Sequence, residues 1–79
     1  MDQVFTISGE YIELNKLLKA SGLCDTGGRA KMLIEDRLVT VDGEIETRKR
    51  RQIKEGMLVE YDTHSIRVVR SGFKTPSQV

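Results

Sequence analysis

The chain has 79 residues, which is one small domain with a thin core, because a chain of that length buries only about 60% of the surface its unfolded form exposes. Charged residues make up 32%, yet 13 basic against 12 acidic side chains leave a net charge of +1, which taken alone argues against nucleic acid as a partner. A single cysteine and a single histidine exclude an internal disulfide and a four-ligand structural zinc site.

In chain order, Val4 to Ile7 alternates and is β-prone, with Phe5 and Ile7 on one face, so a short strand is expected there. From Glu13 to Ser21 the period becomes helical: Leu14, Leu17 and Leu18 share one face, and Gly22 stops the helix where glycine is favoured. After a link of about four residues a second helix repeats the spacing with Ala30, Leu33 and Ile34, capped by Asp25 or Thr26. The two helices should form an angular hairpin. Then the period drops to two. Leu38 to Val41 is strand-like, and Asp42-Gly43 is a strong hairpin turn, leading to Glu44–Glu46. Thr47 to Lys54 reads as a charged connector, Glu55-Gly56 as a turn, and Met57–Tyr61 and Ser65–Arg70 as strands joined by Asp62-Thr63-His64.

Residues 1–70 form the expected domain, and 71–79, which hold Gly, Lys, Pro, Ser and Gln, read as a flexible tail. The order implies an α+β fold: a short N-terminal strand and a two-helix hairpin packed on a small, mostly antiparallel sheet. No apolar run approaches the roughly 18 residues of a membrane span, and the N-terminus lacks the regions of a signal peptide. The expectation is a cytoplasmic protein with no membrane partner, with a monomer favoured.

The near-zero net charge conceals its distribution. Residues 1–25 carry net −2, residues 26–54 net +3, and residues 55–79 none. Within the middle block, Arg48, Lys49, Arg50, Arg51 and Lys54 place five cations in seven residues, with no acid among them. On an exposed loop they would create a local positive field suited to phosphate, with arginine offering bidentate contacts. The bland alternative is a solvated basic turn. A second feature is Thr26-Gly27-Gly28, which opens the second helix beside Arg29 and Lys31. Two glycines there would admit a close backbone approach, either from a neighbouring helix or from an anion at the positive helix end. The spacing of a P-loop is absent.

No catalytic constellation appears. His64 reads as a surface residue, Cys24 as core, and Met32 and Met57 as core filler. No cofactor, metal site or enzymatic activity is expected. Phe5 reads as core, and Tyr11 and Tyr61 serve packing as readily as stacking; with Phe73, few aromatics remain for stacking bases.

Ile12 to Tyr61 resembles the S-four-type RNA-binding domain, also called the alpha-L motif. The likeness rests on an ordered set: Leu14-Asn15-Lys16-Leu17-Leu18 for the family's "LDxLL" helix, then Gly22-Leu23, then Arg29-Ala30-Lys31-Met32-Leu33-Ile34 in the second helix. Leu38-Val39-Thr40-Val41-Asp42-Gly43-Glu44 stands for "G-x-V-x-V-N-G", and Ile53-Lys54-Glu55-Gly56-Met57-Leu58-Val59 for "I-x-x-G-D-x-V". About fifty of the 79 residues are covered. The layout is most similar to the small stand-alone YbcJ-type bacterial proteins. Glu13 and Gly27 stand where the family commonly has arginine, although the stand-alone group commonly carries Gly-Gly at this helix start.

The resemblance implies a non-catalytic module that grips the phosphate backbone of structured RNA, ribosomal or tRNA-like, with the ribosome among its candidate partners. The contacts carried over fall on Lys31 and on Arg48, Lys49, Arg50 and Arg51. Together with Thr26, Gly27, Gly28, Arg29 and Lys54 they form the expected RNA-binding set. If about five phosphates are neutralised, log K should fall with log salt at a slope of roughly −3.5 to −4.5. Replacing Arg48 to Arg51 together by Ala is expected to abolish binding with the fold intact. The competing function is an adaptor whose basic loop docks an acidic protein partner.

Overall fold

Seven strands and two helices make up the computed structural model, which describes residues 2–70. They are β1 (Asp2–Ile7), β2 (Ile12–Glu13), α1 (Leu14–Ala20), α2 (Gly27–Glu35), β3 (Val39–Val41), β4 (Glu44–Ile45), β5 (Gln52–Ile53), β6 (Leu58–Tyr61) and β7 (His64–Arg70). Five strands form one sheet in the order β1-β7-β6-β3-β4. All neighbours in it are antiparallel except β1 and β7, which run parallel with Phe5 opposite Val68. This is the expected α+β class with a mostly antiparallel sheet. The expectation of a tail over 71–79, like Phe73, lies outside the described residues.

Alternation decides which face of the sheet is buried. Ile7, Val39, Val41, Val59, Ile66 and Val68 point inward from four strands and meet Leu14, Leu17, Leu18, Ala30, Leu33 and Ile34 from the helices. Phe5, Tyr61 and Met57 pack at the margin of this core. Burying side chains of this type contributes roughly 1.5–3 kcal/mol each, which is how a small chain offsets its ordering entropy.

Local chemistry sets the element ends. Thr26 caps α2: its Oγ1 accepts a hydrogen bond from the Arg29 N–H at 3.1 Å. α2 closes on Arg37, whose φ of 63° lets the Leu38 and Arg37 N–H groups reach the Leu33 and Ile34 carbonyls at 3.1 Å. Asp42 and Gly43 both adopt positive φ, 51° and 88°, as a primed hairpin turn requires.

Four sequence expectations change. The connector 47–54 contains a strand, β5, which pairs antiparallel with β2 as Ile12 to Ile53 and Glu13 to Gln52. Two-residue strands carry too little periodicity to be recognised. The link between the helices runs over 21–26, longer than about four residues, because α1 ends at Ala20. Met32 is 61% exposed rather than core filler, since it lies off the Ala30-Leu33-Ile34 stripe. His64 opens β7 half-buried opposite Tyr61, where a surface position was expected. Among the described residues no helix is long and apolar enough to cross a membrane, and no cluster of candidate metal ligands forms.

Candidate nucleic-acid interface

The segment after β4 is tied down from two sides. Ile53 is fully buried in the core and anchors β5, which pairs with β2 just before α1. The start of α1 then uses the loop as its cap: the Leu14 N–H donates to the Arg51 carbonyl at 2.9 Å, and the Asn15 N–H to the Lys49 carbonyl at 3.0 Å. A helix leaves its first N–H groups without intrahelical partners. Glu13, at the N-cap position of α1, makes no side-chain cap, so the loop backbone supplies the acceptors. The Arg51 N–H reaches back to the Arg48 carbonyl at 3.2 Å, closing a turn with Lys49 and Arg50 at its tip. The basic run is an ordered turn, not a loosely solvated one.

At the centre lies Glu46, whose side chain is only 7% exposed. Its Oε2 accepts from the Arg48 backbone N–H and from Arg48 Nε, both at 2.9 Å. Its Oε1 accepts from Arg48 Nη2 at 3.2 Å and from Arg51 Nη1 at 2.7 Å. The hydrogen bonds from Arg48, helped by Arg51 and opposed by burial, hold the Glu46 carboxyl down at about 2. The same bonds raise the Arg48 guanidinium above its ordinary value. The run that contains no acid in sequence therefore has one in space. The only trace in the sequence is an acid two residues before Arg48, and the neighbouring Glu44 looks equally eligible.

Around this turn a groove of about 780 Å³ opens, lined by Arg48, Lys49, Arg50, Arg51, Gln52, Lys54 and Met57. All five cations of the run converge on it, and Met57 shapes its base, with Sδ accepting from the Lys54 N–H at 3.0 Å. Lys49, Arg50 and Lys54 form no ion pair among the described residues. Lys54 also borders a smaller hollow with Glu10, Glu55 and Arg70.

The residues of α2 do not line this groove. Thr26, Gly27, Gly28, Arg29 and Lys31 are exposed at the start of that helix, and Lys31 Nζ lies 4.0 Å from Glu35. The expected close helix–helix junction at the glycines is absent: a Cβ on Gly27 would meet nothing within 4 Å, and one on Gly28 only Thr26 Oγ1 at 3.9 Å. Cys24 is buried near Arg29, and burial pushes its thiol up, the opposite of activation. Replacing Arg48 to Arg51 all at once would leave the buried Glu46 carboxylate only the Arg48 backbone N–H, so a cost in stability is expected alongside any loss of binding.

A family model described as S4 domain matches residues 5–69. YbcJ of Escherichia coli (strain K12) is 44% identical over 59 residues, covering 75% of this chain and 84% of that protein, and YbcJ of Shigella flexneri matches to the same extent. The solution structure of YbcJ from E. coli, described as revealing an alpha-L motif involved in RNA-binding, superposes with a TM-score of 0.67 at 40% identity, covering 84% of this chain and 85% of that one.

Proposed function

The chain belongs to the S4 domain family, and on that premise we propose that it is an RNA-binding module that grips the phosphate backbone of structured RNA. The observation that carries this reading is the groove on which Arg48, Lys49, Arg50, Arg51 and Lys54 converge. Phosphate is the ligand that such a cluster meets best: arginine and lysine donate charge-assisted hydrogen bonds, and the counterions released on binding favour association. Arg29 and Lys31 on α2 provide a second set of exposed cations. Phosphate contacts position a protein without reading sequence. Among the described aromatics, Phe5 and Tyr61 pack against the core and Tyr11 is exposed, which leaves little surface for stacking unpaired bases. A folded RNA, recognised by shape and backbone, suits these features better than a single strand. This reading assigns no chemical step to the protein.

The test is fluorescence anisotropy with a labelled stem-loop RNA, competed by single-stranded RNA and by duplex DNA. The stem-loop should compete best, and affinity should fall steeply as salt rises. The triple variant Lys49→Ala, Arg50→Ala, Lys54→Ala should lose at least about tenfold in affinity, because each side chain removes a phosphate contact. Binding indifferent to salt, or unchanged in the triple variant, overturns the reading. Capture of an acidic protein that survives nuclease treatment would favour the adaptor function instead.

A further inference from the structure

We propose that Glu46 is a positioning residue that divides the basic turn into two groups: it commits Arg48 and Arg51 to holding the turn's shape and leaves Lys49, Arg50 and Lys54 to meet phosphate. This division rests on the RNA-binding reading and goes beyond it, because the sequence treats the five cations as equivalent.

Donor counting supports the division. A guanidinium offers five N–H donors, and its strongest contact with an oxyanion is bidentate. Arg48 already spends that geometry on Glu46, through Nε and Nη2 at 2.9 and 3.2 Å. Arg51 spends its shortest bond, 2.7 Å, on the same carboxylate. A phosphate competing for these edges would have to displace a carboxylate that is nearly buried, leaving it only the Arg48 backbone N–H. The turn geometry agrees. Arg48 and Arg51 stand at its two feet, joined by the 3.2 Å backbone bond, while Lys49 and Arg50 occupy its tip. The Lys49 and Arg51 carbonyls are clamped by the start of α1, so the tip is held in place from below. The side chains of Lys49, Arg50 and Lys54 take part in none of these bonds.

The salt dependence of affinity separates the two groups, because its slope counts the phosphates neutralised, at roughly 0.7–0.9 each. With the labelled stem-loop RNA, measured between about 50 and 200 mM salt, Lys49, Arg50 and Lys54 together should account for roughly −2 to −2.7 of the wild-type slope, as for three phosphates, with any share of Arg29 and Lys31 added to it. Lys49→Ala, Arg50→Ala and Lys54→Ala should each flatten it by about 0.7–0.9. Arg48→Ala and Arg51→Ala should weaken binding at an unchanged slope, a readout that distinguishes positioning from contact. Glu46→Gln keeps an acceptor while freeing guanidinium charge, so its slope should be steeper than wild type. Arg48→Ala and Arg51→Ala flattening the slope as much as Lys49→Ala overturns the division while leaving RNA binding intact. A slope near zero in wild type overturns RNA binding itself. Should Glu46→Gln prove unfolded by its thermal melt, the single substitutions at the exposed Arg50 and Lys54 and at Arg48 still decide the matter.

Discussion

Glu46 ties stability to pH through a single carboxyl. Its folded value of about 2 lies below the ordinary 4.5, so the stabilisation is complete above about pH 4.5 and disappears as pH falls toward about 2. At neutral pH the contribution is on the order of 3 kcal/mol, since each pH unit of displacement is worth about 1.4 kcal/mol. Urea midpoints of wild type and Glu46→Gln should differ most near neutrality and converge only as pH falls to about 2. A constant gap would contradict the network. The second informative side chain is Cys24. Burial pushes its thiol up from 9.0, with the Arg29 cation only partly opposing. A thiol reagent should therefore label it at a rate that follows unfolding, and rapid labelling of the native protein would show that the site opens locally.

Among the elements, α2 and β5 behave differently from what their sequences suggest. The glycines at the start of α2 face open space, and neither has a φ that requires glycine. Gly28→Ala should stabilise the protein by roughly 0.5–1 kcal/mol, read as a raised melting temperature. If stem-loop affinity falls at the same time, the glycine serves backbone approach to the RNA; if affinity holds, contact runs through the side chains alone. β5 is only two residues long, yet its Ile53 is fully buried. Ile53→Ala should cost roughly 2–5 kcal/mol by denaturant titration, a large effect for so short a strand, because it removes the anchor of the basic turn along with core volume. The same start of α1 that depends on the turn for its acceptors should fray first, visible as lost amide protection at Leu14 and Asn15.

Across the whole molecule, a net charge of +1 means weak general attraction to polyanions, with positive charge concentrated on the face that carries the groove. Substitutions of the side chains outside the Glu46 network, Lys49, Arg50 and Lys54, should change association with little effect on the core. The triple variant of Lys49, Arg50 and Lys54 should melt within about 2 °C of wild type, because Arg50 and Lys54 are exposed and the half-buried Lys49 side chain takes part in none of the Glu46 bonds. A substantially lower melt would place those side chains in the fold rather than at its surface.

Periodicity in the sequence was sufficient for both helices, the larger strands, the Asp42-Gly43 turn and the α+β class, because each depends on contacts within a few residues. The ordered motifs likewise placed the chain in its family, and the cluster of cations marked the candidate site. What the tertiary structure decided depends on contacts between elements. β2 and β5 are strands only because each pairs with the other across nearly forty residues. Met32 lies outside the core because the packing of α2 selects one stripe. The five cations, identical in composition, become two groups only when the backbone brings a nearly buried Glu46 within 2.7–3.2 Å of two of them. Charge is countable from a sequence; which charges are already spent on one another is a matter of distance and burial, and those exist only in the folded chain.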